Sequence, residues 1–264
     1  MQKNLKHITL IADSGHKNEL KEITTSLTKF TLTKFKIFGN GANIPLSFLT
    51  TFTLLQEIIL SFDDTCVLDF NQLQYVTFPQ LHILKFQYAC PKVEMLIKFL
   101  EINGKHLTEL YVGCHKNSLS SAVVKFCPNL KKLHLIFLNN ELEALKGIFN
   151  GCQYLESIKI KCGAGYFGGN EMLEMVSKYS PKNFYELRID NTESELSSEE
   201  LESFFISWRD RIPQQSLSFI IFTFDFDDFD EKINLSLYID LRIIEKYKTL
   251  GVIKKFETEK FYEV

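Results

Sequence analysis

The sequence predicts an α/β fold, a right-handed leucine-rich-repeat solenoid (a horseshoe) with parallel strands on the concave side and helices on the convex side. Three observations predict it: a recurring apolar-x-x-apolar-x-apolar segment, the regular spacing of its copies, and helical stripes between them. The copies are Leu5/Ile8/Leu10, Leu32/Phe35/Ile37, Leu55/Ile58/Leu60, Leu81/Leu84/Phe86, Leu107/Leu110/Val112, Leu130/Leu133/Leu135, Leu155/Ile158/Ile160, Phe184/Leu187/Ile189 and Leu217/Ile220/Phe222. Their starts lie 27, 23, 26, 26, 23, 25, 29 and 33 residues apart, the span of a strand-plus-helix repeat except at the last two gaps. Of the 27 intervening x positions only six are apolar or Tyr (Ile59, Ile83, Tyr111, Tyr185, Phe219, Ile221), so one face of each strand is kept polar.

Between strands, apolar residues recur at helical spacing. Val93, Leu96, Ile97 and Leu100 follow Pro91 and stop at Asn103-Gly104; Leu142, Leu145, Ile148 and Phe149 follow Asn140 and stop at Gly151. Each stripe has a helix-starting residue before it and glycine after it. Leu201, Phe204, Phe205 and Trp208 follow Ser197-x-x-Glu200, the pattern of a capping box. Early repeats are less regular, and Ser61 to Thr77 has no helical stripe, so a loop or short turns are expected there. Residues 1–224 are therefore expected to form an array of about nine repeats. Residues 225–264 are expected to add an acidic loop (Asp225 to Glu231), a capping helix marked by Ile239, Ile243, Ile244 and Tyr247, and a last strand from Val252 to Phe256; an atypical end unit is what a repeat array requires.

Composition narrows the function classes. The net charge is −3 over 264 residues, but residues 1–180 hold 19 basic and 15 acidic side chains (+4) and residues 181–264 hold 11 and 18 (−7). A near-neutral chain is a poor nucleic-acid binder. The six cysteines form no C-x-x-C pair and several keep repeat register, as Cys127 and Cys152 do three residues before a repeat's first Leu. That placement predicts buried packing groups in a reducing cytosol or nucleus, not a disulfide framework or zinc site. No apolar run reaches the length of a membrane span or signal peptide.

Cys127-Pro128-Asn129-Leu130-Lys131-Lys132-Leu133-His134-Leu135 and Gly151-Cys152-Gln153-Tyr154-Leu155-Glu156-Ser157-Ile158 resemble the cysteine-containing leucine-rich repeats of F-box proteins. Ser180 to Leu187 and Lys246 to Phe256 are similar to an expanded fungal set of F-box-like repeat proteins. The resemblance implies an arc that captures a protein destined for ubiquitylation. In that family a separate N-terminal F-box docks onto the cullin-based ligase. Here the first repeat begins at Leu5 and no leucine-proline-x-glutamate sequence precedes it, so cullin docking is not expected from this stretch.

No residue pattern points to catalysis, a cofactor or a metal. Gly163-Ala164-Gly165-Tyr166-Phe167-Gly168 matches G-x-G-x-x-G, yet it occupies an ordinary strand-to-helix turn, and a solenoid has no topological switch point to form a crevice. The acidic run lacks the turn glycine and terminal Glu of a calcium loop, and the six histidines have no helix-spaced partner. The expected contact residues are the fifth-position column of the concave face, with Lys85, Tyr111, His134, Lys159 and Arg188 as a ladder and Lys132 beside it in the third-position column. Cations around an aromatic suit an acidic or phosphorylated protein segment, with Tyr111 as anchor. The chain is thus expected to be a non-catalytic protein-interaction scaffold. The alternatives are a receptor for a small anion or nucleic-acid phosphate, or a repeat-type GTPase regulator.

Overall fold

In the computed structural model the residues described are 5–12, 26–27, 31–39, 46–62, 70–116, 118–163, 165–191, 196–213, 215–224 and 240–261. They form an α/β structure with all-parallel strands and helical segments between them. The chain divides into two units, Met1–Leu130 and Lys131–Val264.

In the first unit, β1 (His7–Ala12), β2 (Lys34–Gly39), β3 (Glu57–Phe62), β4 (Ile83–Tyr88) and β5 (Glu109–Val112) pair side by side in sequence order. Parallel neighbours require a crossover, and two of these are short 3-10 turns, Leu46–Thr51 and Leu73–Tyr75. The expected absence of a helical stripe around Ser61 to Thr77 thus resolves into a 3-10 turn, with residues 63–69 outside the described set. Later crossovers are α1 (Val93–Asn103) and α2 (Leu119–Phe126). The expected stripe after Pro91 and before Asn103-Gly104 is α1; α2, with Leu119, Ala122 and Val123 buried on one face, is too short for its stripe to stand out. Its core is built on Phe: Phe70 packs edge-on against Phe86 and Phe99, and Phe78 lies against Phe99. Asn103 at the end of α1 is fully buried because its amide serves the loop before β4: Oδ1 accepts from the Phe78 N–H at 2.7 Å, and Nδ2 donates to the Val76 carbonyl at 2.9 Å.

The second unit repeats the plan with β6 (Lys132–His134), β7 (Ser157–Cys162), β8 (Glu186–Asn191), β9 (Leu217–Phe224) and β10 (Ile253–Phe261), again paired in sequence order. Its helices are α3 (Leu142–Gly151), α4 (Gly169–Tyr179), α5 (Ser198–Arg209) and α6 (Leu241–Thr249). The capping box opens α5 as its sequence requires: the Ser197 hydroxyl accepts from the Glu200 N–H, and the Glu200 carboxylate accepts from the Ser197 N–H at 2.9 Å. Phe149, Phe184 and Trp208 form a buried aromatic run that continues through Phe204, Phe205 and Phe219 to Tyr247 of α6. The Asp225 to Glu231 run and Ile239 lie outside the described residues.

Two expectations are corrected. Cys90 and Cys114 form a disulfide that ties the segment after β4 to the segment after β5, so cysteine spacing alone misjudged this pair. The register of parallel strands brings these two loops together although they are 24 residues apart in sequence. Cys127, Cys152 and Cys162 are buried thiols, in line with packing groups. Second, β9 enters one residue out of register: Leu187 pairs with Phe219 and Arg188 with Ile220, where the repeat pattern aligned Leu187 with Ile220. The longest inter-repeat gap precedes this strand, and Leu217 to Phe222 are all buried, so apolarity on both faces left the pattern unable to fix its phase.

Candidate interaction surface

Alternation along each strand sorts side chains into a core face and a polar face. In the first unit the core face carries Phe35, Ile37, Leu84, Phe86, Leu110 and Val112, all fully buried. The opposite face reads across the strands in register rows. Thr9, Lys36, Ile59, Lys85 and Tyr111 form one row, and His7, Lys34, Glu57, Ile83 and Glu109 form the row before it. Lys85 and Tyr111 are therefore neighbours, as the column expected, but Lys85 is engaged by Glu109 at 2.7 Å. Tyr111 is half-buried, and a Cβ on Gly113 would come within 3.1 Å of its ring; the glycine leaves room for the ring. Glu57 is nearly buried and takes both Lys36, at 2.9 Å, and Lys34, at 3.3 Å. Burial pushes the Glu57 carboxyl up, but the hydrogen bonds and charges of Lys36 and Lys34 together hold it below its ordinary value.

In the second unit His134, Lys159 and Arg188 share one row, and Lys132, Ser157 and Glu186 the row before it. Arg188 Nε donates to Glu186 Oε1 at 3.0 Å, and the Ser157 hydroxyl donates to the same oxygen at 2.7 Å. Burial pushes Glu186 up, and these hydrogen bonds with the Arg188 charge bring it below the ordinary range. Lys159 lies 3.6 Å from Asp190 and 3.9 Å above the centre of the Phe222 ring. Removal from water pulls the Lys159 amine down against the opposing pull of Asp190. Asp190 keeps one buried oxygen, Oδ1, without a hydrogen-bond partner, a cost that the loose ion pair offsets only in part. Lys131 and Glu156 pair at 2.8 Å one position outside this face.

Two of the expected contact residues are thereby corrected. His134 and Lys159 are buried, at 5% and 8% exposure, and cannot meet a partner as surface cations. The His134 imidazole is neutral at physiological pH, with Nδ1 3.0 Å from the Lys159 carbonyl. Ile59 and Ile221 in the same expected column are buried too. Side chains of neighbouring strands pack along the polar face as well as the core face, which alternation by itself does not reveal. Lys85, Tyr111 and Arg188 remain partly exposed, and Lys132 is exposed.

The expectation of a basic ladder overlooked the carboxylates. Glu57 and Glu109 sit at third positions of the repeat that follows Lys36 and Lys85, so the signal was present in the sequence: a fifth-position lysine followed, one repeat later, by a third-position glutamate. In the glycine motif, whose Ala164 lies outside the described residues, the backbone bonds to itself. Gly163 and Gly165 adopt positive φ, the Gly163 N–H donates to the Phe167 carbonyl and the Tyr166 N–H to the Gly163 carbonyl, so the turn closes on itself.

No family model matches the chain, and no curated protein matches it. Among the described residues no three His, Cys, Asp or Glu side chains cluster as metal ligands, and no helix is long and apolar enough to cross a membrane.

Proposed function

We propose that the chain is a non-catalytic protein-interaction scaffold of the leucine-rich-repeat type, resembling the substrate-receptor part of an F-box adaptor. The observation that carries this reading is the parallel register of β1 to β5 and of β6 to β8, which stacks equivalent positions of successive repeats into rows on one polar face in each unit. Such a face offers an extended partner a repeating set of contacts on rigid strands. Several of its cations are paired with carboxylates, Lys85 with Glu109 and Arg188 with Glu186, which favours a polypeptide with mixed chemistry over a polyphosphate. For an acidic or phosphorylated segment, Lys85 and Tyr111 are the contacts on the first unit, where the segment must draw Lys85 away from Glu109, and Lys132 and Arg188 are those on the second, where it must draw Arg188 away from Glu186. Capture linked to ubiquitylation rests on the F-box resemblance.

Photo-crosslinking tests the proposal. A benzophenone side chain replacing Tyr111 or Lys132 should crosslink to a polypeptide in cell extract, whereas the same group replacing Lys98 on α1 should not. Crosslinks to nucleic acid, or equal polypeptide yields from Lys98, would refute it.

A further inference from the structure

The polar face of residues 1–130 has one corner where charge and apolar surface are both left over. Lys34 and Lys36 converge on the single carboxylate of Glu57, and no other carboxylate among the described residues is within ion-pair distance of either. Their side chains are 42% and 37% exposed. Among the described residues, two ammonium groups share one nearly buried carboxylate, which leaves one positive charge in excess at the surface.

Beside it the register pairs Ile11 of β1 with Phe38 of β2. Both lie two residues along from the Thr9/Lys36 pair, hence on the same face and about 6.6 Å further along the strands. Ile11 is 85% exposed and Phe38 36%. A single exposed apolar residue is ordinary. Here two large ones stand on adjacent strands, about 4.8 Å apart, next to the unbalanced charge. The opposite face of β2 is committed to the core through Phe35 and Ile37, so core packing on that strand does not account for the exposed Phe38.

We infer that this corner docks an extended protein segment carrying a carboxylate within one or two residues of a bulky aliphatic or aromatic side chain. The carboxylate completes the Lys34–Glu57–Lys36 cluster as a second acceptor, and the apolar side chain covers Ile11 and Phe38. A strand-like segment spaces side chains of one face two residues apart, about 6.6 Å, which matches the step from Lys36 to Phe38. The inference rests on the polar strand face being the binding surface and adds the chemistry of its partner.

Selection of random dodecapeptides displayed on phage, against the full chain, tests it. Enriched peptides should carry Asp or Glu within two residues of Leu, Ile, Phe, Tyr or Trp. Synthetic copies should lose at least ten-fold in affinity to Lys36→Glu, to the milder Lys36→Gln in lesser degree, and to the Ile11→Ser/Phe38→Ser double variant, while Lys105→Glu has no effect. All are surface changes, and circular dichroism checks that each variant is folded. Enriched peptides that bind these variants undiminished, yet are lost on Lys85→Glu or on Tyr111→Ala, would overturn the corner and leave the scaffold reading standing. If no peptide enriches on the wild type, both fall. Binding of poly(U) or of phosphatidylserine vesicles that is lost in Lys36→Glu would assign the cluster to phosphate and overturn the inference.

Discussion

Acidification should weaken residues 131–264 through one imidazole. His134 is buried, and because a carbonyl can only accept, its Nδ1 carries the proton that points at the Lys159 carbonyl 3.0 Å away. Removal from water, with the Lys159 and Lys161 charges added and the Lys159 carbonyl opposing, pulls its pKa from 6.5 down to about 3. The unfolded chain binds this proton near pH 6.5 and the folded one only near pH 3, so between these values the unfolded state holds more protons. Stability therefore falls as pH falls through that window. At about 1.36 kcal/mol per pH unit, lowering the pH from 7 to 5 crosses about 1.5 units below 6.5 and removes about 2 kcal/mol; at pH 4 the loss reaches about 3 kcal/mol. Urea unfolding of the wild type and of His134→Asn, which retains an N–H donor and cannot titrate, measures it. The wild type should lose about 2 kcal/mol more than the variant between pH 7 and pH 5. Equal losses, or an imidazole resonance in the folded protein that titrates near pH 6.5, would refute the burial on which the prediction stands.

Asn103→Ala should destabilise residues 1–130 by about 2–4 kcal/mol, since it strands the buried Phe78 N–H and the Val76 carbonyl; equilibrium unfolding reads the loss. Gly169→Ala places a Cβ 2.2 Å from Leu196 Cδ2 and should cost about 1–3 kcal/mol, while a double-mutant cycle with Leu196→Ala should return a cost smaller than the sum of the two single changes. Reduction of Cys90–Cys114, which closes a loop of 24 residues, should lower stability by about 3 kcal/mol, and a Cys90→Ser variant should melt identically with and without reductant.

The strand positions and the long helices were legible because they rest on local periodicity. Leu130, Leu133 and their equivalents are buried in every repeat from Leu32 onward, and Asn103-Gly104 and Ser197-x-x-Glu200 mark a helix end and start that local chemistry enforces. Legibility failed where the outcome depends on what a strand's neighbour brings. Leu217 to Phe222 are apolar almost throughout, so their phase against β8 is set by packing, and the one-residue shift placed Ile220 beside Arg188. Cys90 and Cys114 meet only because β4 and β5 are adjacent. On the polar face, Lys85, Tyr111, Lys159 and Arg188 fell on the expected face, but whether each is exposed was decided by Glu109, Phe222, Asp190 and Glu186 on the same or a neighbouring strand. The bridging of two lysines by Glu57 follows from the same register.

The claim on which the account depends most is that repeat register builds a paired-charge face. Lysine side-chain NMR on the wild type and Glu57→Gln tests it directly: the ammonium resonances of Lys34 and Lys36 should both shift in the variant while that of Lys85, held by Glu109, stays in place. A Glu57→Gln spectrum in which Lys34 and Lys36 do not move, or in which only one of them does, would contradict it.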